Sequence, residues 1–318
     1  MGQVFVTRRL PGDALERLTA AGHALDVWEG AEPPTPEQLA ERAAEADGLG
    51  CTLTDRIDDA LLDRCPRLRT VANYGVGYDN VDVAACARRG IAVSNTPDVL
   101  TDATADLAFA LLLAAARRLP ETRQVVLDGR WGTWEPGEYL GRDVAGATLG
   151  IVGAGRIGEA VARRGAGFGM TVLTNTSRAG TPLDELLARA DFVSLHVPLT
   201  DATRHLIDAA ALRRMKPTAI LINTARGPVV DTEALIAALH AGEIGGVALD
   251  VTDPEPLPAD HPLLSAPNVL VLPHIGSATT RTRARMTEIV AENLLAGLAG
   301  EPLPQAVPVP VPRDAPGS

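Results

Sequence analysis

The chain is almost devoid of lysine and poor in aromatic residues. Lys216 is the single lysine among 29 basic residues, and it lies in a Met-Lys-Pro turn, which argues against chemistry in which a lysine amine forms a Schiff base. No block of basic residues is present, the formal net charge is -11, and aromatic residues make up 3% of the sequence. Because nucleic-acid binding relies on basic surfaces and aromatic stacking, we do not expect a nucleic acid as a partner.

Cysteines and long apolar runs are also scarce. Cys51, Cys65 and Cys86 are odd in number and no two are close in sequence, so neither a disulfide framework nor a zinc site is expected. This usage is typical of a reducing compartment. No apolar run reaches the roughly 20 residues that cross a bilayer, and the N-terminus enters a predicted strand without a signal peptide. We therefore expect a cytoplasmic protein without membrane attachment and without a metal.

What the chain does have is a regular alternation of short apolar runs and helical patterns, which is typical of parallel α/β sheets. Its 318 residues predict two domains of ordinary size. A long apolar helix is predicted over 104–119, ended by Pro120, and a final helix over 279–298 precedes a proline-rich tail that we expect to lack fixed structure. Strands are predicted at residues 4–7, 24–28, 48–52, 70–73, 92–94, 148–152, 171–174, 192–195, 219–223, 246–250 and 269–272.

A glycine turn between a strand and a helix is the most informative motif. Gly153, Gly155 and Gly158 follow an apolar strand and open a helix that begins at Arg156 and Ile157. The first glycine permits a tight turn, the second lets the backbone approach a pyrophosphate, and the third lets helix and strand pack closely. The helix N-terminus directs N–H groups and a positive dipole end at phosphates. The motif predicts dinucleotide binding; the alternative is a glycine-rich turn in another α/β protein.

The end of the next strand bears on which dinucleotide is preferred. An NAD site usually carries an acidic residue there to bind the ribose 2′-hydroxyl, but Asn175, Thr176, Ser177 and Arg178 include none. A guanidinium beside small hydroxyls suits a 2′-phosphate. We therefore expect a preference for NADP(H), with Thr176, Ser177 and Arg178 in contact with the cofactor. The alternative is a solvated Arg178 and a site that also takes NAD(H).

Three residues in short segments just after predicted strands suggest a catalytic group. They are Arg226, Glu255 and His274. In open α/β sheets ligands bind beyond the carboxyl ends of the strands. Arg226 can bind a carboxylate and polarise a neighbouring carbonyl, His274 can donate a proton to the developing alkoxide, and Glu255 can orient the imidazole and favour its charged form. The alternatives are a surface guanidinium, a loop carboxylate and a core histidine.

Together these segments resemble the D-isomer-specific 2-hydroxyacid dehydrogenase family over essentially the whole chain. The segment 131–136, WGTWEP, is similar to the glyoxylate/hydroxypyruvate reductase branch. The resemblance implies an NADPH-preferring reductase of glyoxylate and hydroxypyruvate to D-2-hydroxy acids. It also implies an α/β fold of two doubly wound parallel-sheet domains, in which a Rossmann cofactor domain (100–288) is inserted into a flavodoxin-like substrate domain (1–99 with 289–318). The motifs that carry it are 73–82, 95–97, 102–106, 153–158, 223–227, 254–256 and 273–276.

Further contacts are implied by the resemblance. The substrate carboxylate is expected at the backbone N–H groups of Val76 and Gly77, where flanking glycines also allow an anion-binding concavity. The aromatic segment 129–141 is expected to cross the two-fold axis of a homodimer, with Trp134 reaching the neighbouring active site. Additional cofactor contacts are implied for Thr104, Pro198, Thr203, Thr224, Ala225, Asp250 and Gly276.

Other activities stay open on the sequence alone. Within the family, a 2-keto-gluconate reductase, a phosphite dehydrogenase or a phosphoglycerate dehydrogenase has similar motifs. From a different class, the same fold serves as a nucleotide-sensing corepressor-like binding protein. A substrate panel followed at 340 nm separates these possibilities, because a binding module consumes no NADPH.

Overall fold

The computed structural model describes residues 1–176 and 179–309. The chain forms two compact units. Unit 1 comprises Met1–Leu100 and the chain from Ala278 onward, and unit 2 comprises Thr101–Ser277. Unit 2 is therefore inserted between the two segments that build unit 1.

Unit 1 contains a five-stranded parallel sheet in the order β2-β1-β3-β4-β5. Alternate residues of its strands enter two cores: Phe5 and Val71 pack on one face of the sheet, and Val4, Val6 and Ala72 pack on the other. Burial on both faces explains why the strands read as short apolar runs. The strands are β1 (Gln3–Val6), β2 (Ala24–Val27), β3 (Gly48–Cys51), β4 (Thr70–Asn73) and β5 (Ala92–Ser94).

Five helices of unit 1 cover this sheet, and several begin at a side-chain cap. Thr35 and Gln38 form a reciprocal capping box at the start of α2, and Asp82 caps α4. The last helix packs along β3 and β4. The helices are α1 (Glu16–Ala20), α2 (Pro36–Ala43), α3 (Asp59–Leu62), α4 (Val83–Arg88) and, after unit 2, α11 (Thr280–Ala299).

Unit 2 contains a six-stranded parallel sheet in the order β11-β10-β9-β8-β6-β7. The chain runs from β6 outward to β7 and then returns to the other side of β6 for β8, so the direction of winding reverses between β6 and β8. In open α/β sheets, ligands bind beyond the carboxyl ends of the strands at such a switch point. The strands are β6 (Thr148–Val152), β7 (Thr171–Asn175), β8 (Phe192–Leu195), β9 (Ile220–Asn223), β10 (Gly246–Leu249) and β11 (Val269–Val271).

The helices of unit 2 lie on both faces of its sheet, which again has two cores. The most apolar helix, α5, packs on α7, β9 and β10. Two short 3₁₀ segments, Gly227–Val229 and Pro262–Ser265, complete the unit. The helices are α5 (Thr101–Ala116), α6 (Leu119–Leu127), α7 (Arg156–Gly167), α8 (Leu183–Arg189), α9 (Ala209–Arg214) and α10 (Thr232–Ala241).

Two local expectations differ from the structure. The predicted helix 104–119 is broken, because Arg118 adopts a left-handed φ of 54° and Pro120 lies in the first turn of α6. The start of the proline-rich tail is not without fixed structure: Val307 is buried and its N–H donates to the Val93 carbonyl at 2.8 Å, beside a bridge between Ser94 and Ala306. The prolines prevent a helix there but not an extended segment along the edge of a sheet.

The second unit boundary also differs from the expectation. The sequence-based boundary at 288–289 lies inside α11. In the structure the chain returns to unit 1 at Ala278, because α11 is one continuous helix that packs against β3, β4 and α1 over its length.

Cys51, Cys65 and Cys86 are free and buried in one core of unit 1. Burial raises the pKa of Cys65 and of Cys86 to about 11, so these thiols stay protonated and unreactive near neutral pH. Within residues 1–176 and 179–309, no helix combines the length and the apolar character that spanning a membrane requires.

Close packing of α11 on the sheet generates a stability prediction. A Cβ at Gly297 would lie 2.5 Å from the side chain of Thr70. Gly297→Ala should therefore lower the free energy of unfolding by about 1–3 kcal/mol despite the better helix propensity of alanine. Urea denaturation measures the change. Gly167→Ala is the control, because a Cβ there meets nothing within 4 Å; equal midpoints for both variants would contradict the packing argument.

Candidate active site

The glycine turn lies between β6 and α7, beside the switch point of the sheet. Gly153 has φ +93°, and a Cβ there would lie 2.7 Å from the backbone of His196. A Cβ at Gly158 would lie 2.2 Å from the Gly153 carbonyl oxygen. These two positions therefore require glycine, one because of its backbone conformation and the other because of a close approach.

Gly155 differs from the other two because its surroundings are open. It is the N-cap of α7, it provides no side-chain cap, and a Cβ there would meet no atom within 4 Å. The first turn of α7, Arg156, Ile157 and Gly158, directs its backbone N–H groups toward this open space. A helix N-terminus with room in front of it fits the pyrophosphate of a dinucleotide.

The segment after β7 is where a cofactor ribose is expected. Asn175 ends β7 and donates from Nδ2 to the Thr181 carbonyl at 2.9 Å. The Thr176 hydroxyl accepts from Ala179 N at 2.9 Å and lies 2.8 Å from Ala179 O. The predicted contacts Ser177 and Arg178 lie outside the described residues.

Of the remaining predicted cofactor contacts, Thr104 lies in the first turn of α5, and the others lie in segments that follow strands of unit 2. Thr203 donates from its hydroxyl to the Pro198 carbonyl at 2.6 Å, which closes the loop after β8. The Thr104 hydroxyl donates to the Gly276 carbonyl at 3.3 Å. Among the described residues, the buried hydroxyl of Thr224 has no hydrogen-bond partner, so this oxygen is available to a bound ligand.

Arg226 is positioned by the last residue of β9. Asn223 is 1% exposed; its Nδ2 donates to the Arg226 carbonyl at 2.9 Å, and its Oδ1 accepts from Ala225 N at 3.0 Å. Gly227 then brings this turn against the next loop, because a Cβ there would lie 1.9 Å from the Thr252 carbonyl oxygen. The contribution of Asn223 was missed at the sequence level, although a polar residue ending an apolar strand is a signal for it.

His274 and Glu255 form a direct hydrogen bond. His274 Nδ1 donates to Glu255 Oε1 at 2.6 Å, and Glu255 Oε2 accepts from Thr252 N at 3.4 Å. Burial raises the pKa of Glu255, but the hydrogen bond and charge of His274 and the charge of Arg226 hold it below its usual value of 4.5. The structure therefore brings Arg226, Glu255 and His274 together, and Nε2 is the ring nitrogen left for proton exchange.

Asp250 positions the His274 turn from the end of β10. Its carboxylate accepts from Ile275 N and from Gly276 N, both at 2.7 Å, and its carbonyl accepts from His274 N at 3.0 Å. His274 has a left-handed φ of 54°, which these bonds help to maintain. Burial raises the pKa of Asp250, although the two N–H groups oppose this. In this structure Asp250 acts on the turn that carries His274.

His196 and Lys216 also have side chains that could take part in catalysis, but in the structure each is bonded to a neighbouring side chain. Burial lowers the pKa of His196 to about 4, and its Nε2 lies 2.8 Å from the Ser194 hydroxyl, so it is neutral near pH 7 and unsuited to donate a proton. The single lysine, Lys216, forms an ion pair with Asp191 at 2.8 Å.

The other predicted substrate contacts, Val76, Gly77 and Trp134, lie in other segments of the chain. Val76 and Gly77 follow β4 in unit 1 and are partly exposed. Trp134 is 79% exposed and lies in the irregular segment between α6 and β6 of unit 2.

A doubly wound sheet with a glycine turn, together with an arginine and a histidine–carboxylate pair at strand ends, defines a class of protein: the dinucleotide-dependent oxidoreductases. The family model for the NAD-binding domain of D-isomer specific 2-hydroxyacid dehydrogenases matches residues 109–276. The chain belongs to the D-isomer specific 2-hydroxyacid dehydrogenase family. It is accordingly an oxidoreductase that acts on CH–OH groups and uses a nicotinamide cofactor.

Individual relatives agree over nearly the whole chain. A glyoxylate reductase of Korarchaeum cryptofilum is 51% identical, over 96% of this chain and 95% of that protein. A crystal structure of a Thermus thermophilus protein is 50% identical with a TM-score of 0.90 and covers 96% of this chain and 99% of that one. An NADPH-dependent glyoxylate/hydroxypyruvate reductase from Sinorhizobium meliloti, in complex with NADP and malonate, is 36% identical with a TM-score of 0.84, covering 96% of each chain.

The Glu255–His274 pair generates a prediction about pH. In reduction the imidazole gives up a proton, and the Glu255 carboxylate holds the ring through Nδ1. Because the pKa of Glu255 is lowered, its negative charge is present above that pKa and is lost as the pH falls through it. In Glu255→Gln this charge is absent at every pH, so kcat/KM for reduction at pH 8 should fall by about tenfold or more.

The exposed glutamate Glu233, in the first turn of α10, provides the matched control Glu233→Gln. Both profiles are measured as initial rates between pH 5 and 9. A kcat/KM at pH 8 that is the same in Glu255→Gln and Glu233→Gln would show that the carboxylate does not act on the imidazole.

Proposed function

We propose that this protein is an NADPH-preferring reductase of small 2-oxo acids that converts glyoxylate to glycolate and hydroxypyruvate to D-glycerate. The observation that carries the proposal is the 2.6 Å hydrogen bond between His274 and Glu255, close enough to Arg226 for that charge to lower the pKa of Glu255. The relatives named glyoxylate reductase support the choice of substrate class.

The residues of unit 2 account for the chemistry of a 2-oxo acid. A bound nicotinamide cofactor supplies the hydride to the carbonyl carbon in reduction and accepts it in oxidation. Arg226 binds the carboxylate and stabilises the negative charge that develops on the carbonyl oxygen. His274 Nε2 donates the proton that this oxygen receives, and in oxidation the neutral imidazole takes it back. Glu255 holds the ring with its Nδ1 occupied.

The cofactor is assigned to the glycine turn and the loops around it. Gly153, Gly155 and Gly158, with Arg156 and Ile157, hold the pyrophosphate at the start of α7. Asp250 is also assigned to the cofactor site, where its carboxylate holds the turn at Ile275 and Gly276 by accepting their backbone N–H groups. The remaining contacts assigned to the cofactor are Thr104, Thr176, Ser177, Arg178, Pro198, Thr203, Thr224, Ala225 and Gly276.

The preference for NADPH rests on the residues just beyond β7. No carboxylate stands at positions 175–178, where a ribose 2′-hydroxyl would need one, and Arg178 offers a guanidinium for a 2′-phosphate. The Sinorhizobium meliloti relative, described as NADPH-dependent and solved with NADP, supports the same preference.

A second part of the proposal concerns the substrate carboxylate. We assign it to the backbone N–H groups of Val76 and Gly77 as well as to Arg226. Among the described residues, neither N–H has an acceptor in this structure.

Steady-state kinetics with both cofactors and a panel of 2-oxo acids tests the proposal. We expect glyoxylate and hydroxypyruvate to be reduced, and kcat/KM with NADPH to exceed that with NADH by about tenfold or more, the equivalent of one additional charge-assisted contact. Arg178→Ala should reduce this ratio and leave the NADH rate nearly unchanged.

The catalytic assignment is tested in the same assay. His274→Ala and Arg226→Ala should each lower kcat/KM by about 10²–10⁴-fold. A flat signal at 340 nm across the panel would contradict the reductase, a higher kcat/KM with NADH would contradict only the cofactor preference, and near wild-type turnover in His274→Ala would remove the proton donor.

We further propose a homodimer that uses the segment between α6 and β6. Trp131 and Trp134 are 67% and 79% exposed, and Leu127 and Leu140, in the same stretch of chain, are 60% and 69% exposed. In an aromatic-poor chain, several large exposed apolar side chains in one segment are typical of an interface between subunits. Trp134 is assigned to the active site of the second copy. A cytoplasmic location is proposed because all three cysteines are free and buried.

Light scattering tests this assembly. The wild type should have twice the mass of one chain, and Trp131→Ser combined with Leu140→Ser should shift it toward the monomer. Leu264→Ser is the control, since Leu264 is a 45% exposed apolar residue outside this segment. A fully active wild-type monomer would contradict both the dimer and the role of Trp134.

A further inference from the structure

We propose that Asn95 and Asn73 are positioning residues that orient the backbone N–H groups of the loop 75–77 toward a substrate carboxylate. This inference rests on the proposed function and deepens it. Neither asparagine would touch the substrate; each would act through the loop.

All three carbonyl groups of this loop are held by hydrogen bonds. Asn95 Nδ2 donates to the Val76 carbonyl at 2.8 Å, and Asn73 Nδ2 donates to the Gly77 carbonyl at 2.8 Å. The backbone N–H of Thr96 donates to the Gly75 carbonyl at 2.9 Å. The loop therefore has no carbonyl left to rotate freely.

Holding a carbonyl also orients the N–H group of the same peptide. In a trans peptide the C=O and the N–H point in opposite directions. The bond from Asn95 to the Val76 carbonyl therefore orients the Gly77 N–H, and the bond from Thr96 to the Gly75 carbonyl orients the Val76 N–H. Both N–H groups point away from their anchors, and within residues 1–176 and 179–309 neither meets an acceptor.

The Asn73 amide and the backbone of Asn95 are themselves held. Asn73 is fully buried, and its Oδ1 accepts from Asn80 Nδ2 at 3.3 Å; Asn80 Nδ2 also lies 3.0 Å from the Thr52 carbonyl. The backbone N–H of Asn95 donates to the Gln305 carbonyl at 3.3 Å. Because the loop is held by these bonds before a ligand arrives, ordering it adds little to the entropic cost of binding.

The two substitutions that separate positioning from simple structural support are both at Asn95, which is half-buried. Asn95→Ala removes the donor and lets water replace it. Asn95→Asp has nearly the same shape but places a carboxylate oxygen opposite the Val76 carbonyl, which disfavours the observed orientation of the peptide. Positioning predicts a graded effect, with the wild type binding carboxylates best and the aspartate variant worst.

The experiment measures kinetics with glyoxylate, and calorimetric binding of oxalate and of NADPH, for the same preparations. In Asn95→Asp, the KM for glyoxylate and the Kd for oxalate should rise by about 10–100-fold, while kcat stays within about threefold. Asn95→Ala should lie between this variant and the wild type. The Kd for NADPH should not change, because the residues assigned to the cofactor all belong to unit 2.

Asn268→Asp is the matched control. Asn268 Nδ2 donates to the Gly245 carbonyl at 3.0 Å on the surface of unit 2, so the same chemical change removes the same kind of bond away from the loop. Urea midpoints of all variants are compared. A loss of kcat and stability with no change in KM or oxalate affinity would mean that Asn95 only supports the fold, and it would overturn the inference.

These measurements distinguish failure of the proposed function from failure of the positioning role of Asn95. If the wild type reduces no 2-oxo acid, the proposed function fails, and the oxalate measurement still decides the role of Asn95. If the wild type is active but binds oxalate no more tightly than Asn95→Asp, the positioning role fails and the reductase stands.

Discussion

The hydrogen bond between His274 and Glu255 is the interaction on which the chemistry proposed for this protein depends. It assigns Nδ1 of the imidazole to the carboxylate and leaves Nε2 for proton exchange. It also keeps the pKa of Glu255 low against the effect of burial, so that the carboxylate stays charged beside the ring. The backbone of His274 is left-handed, and the turn that holds it is bonded to Asp250 at the end of β10. The reactive group is thus fixed by side chains that have no direct part in proton transfer.

The same device recurs in both units. A polar side chain at or just after the last residue of a buried strand bonds the backbone of a nearby loop. Asn223 and Asn73 bond the loops that follow their own strands, β9 and β4, whereas Asp250, after β10, bonds the turn that follows β11. Each is almost fully buried, and each is satisfied by backbone groups, which is what makes a polar side chain tolerable at that depth. Parallel strands therefore provide both the position and the orientation of the loops that carry the function.

The two units share a strand order but differ in what their loops are built to bind. In each sheet the second strand lies outside the first and the third lies on the other side, so both have a switch point beside their first strand. Only the first loop of unit 2 carries the glycine turn at the start of a long helix, with open space in front of Gly155. In unit 1 the loop proposed to bind the substrate carboxylate follows β4 instead, where two asparagines and a backbone N–H hold three successive carbonyls.

Much of this protein was determined by local sequence. The eleven strands found within residues 1–176 and 179–309, the glycine turn and the three residues in segments after strands are readable because short apolar runs and glycines act over a few neighbouring positions. Where α5 ends, where the chain returns to unit 1, and that residues near Val307 pair with β5 were decided by packing between distant segments. The close approach of Gly227 to Thr252, and the direction in which Asn223, Asp250 and Asn95 turn their polar atoms, also depend on tertiary structure. Hydrogen bonds that join residues far apart in the chain leave no periodic signal in it, so the sequence suggested the candidate reacting groups and the fold decided how they are held.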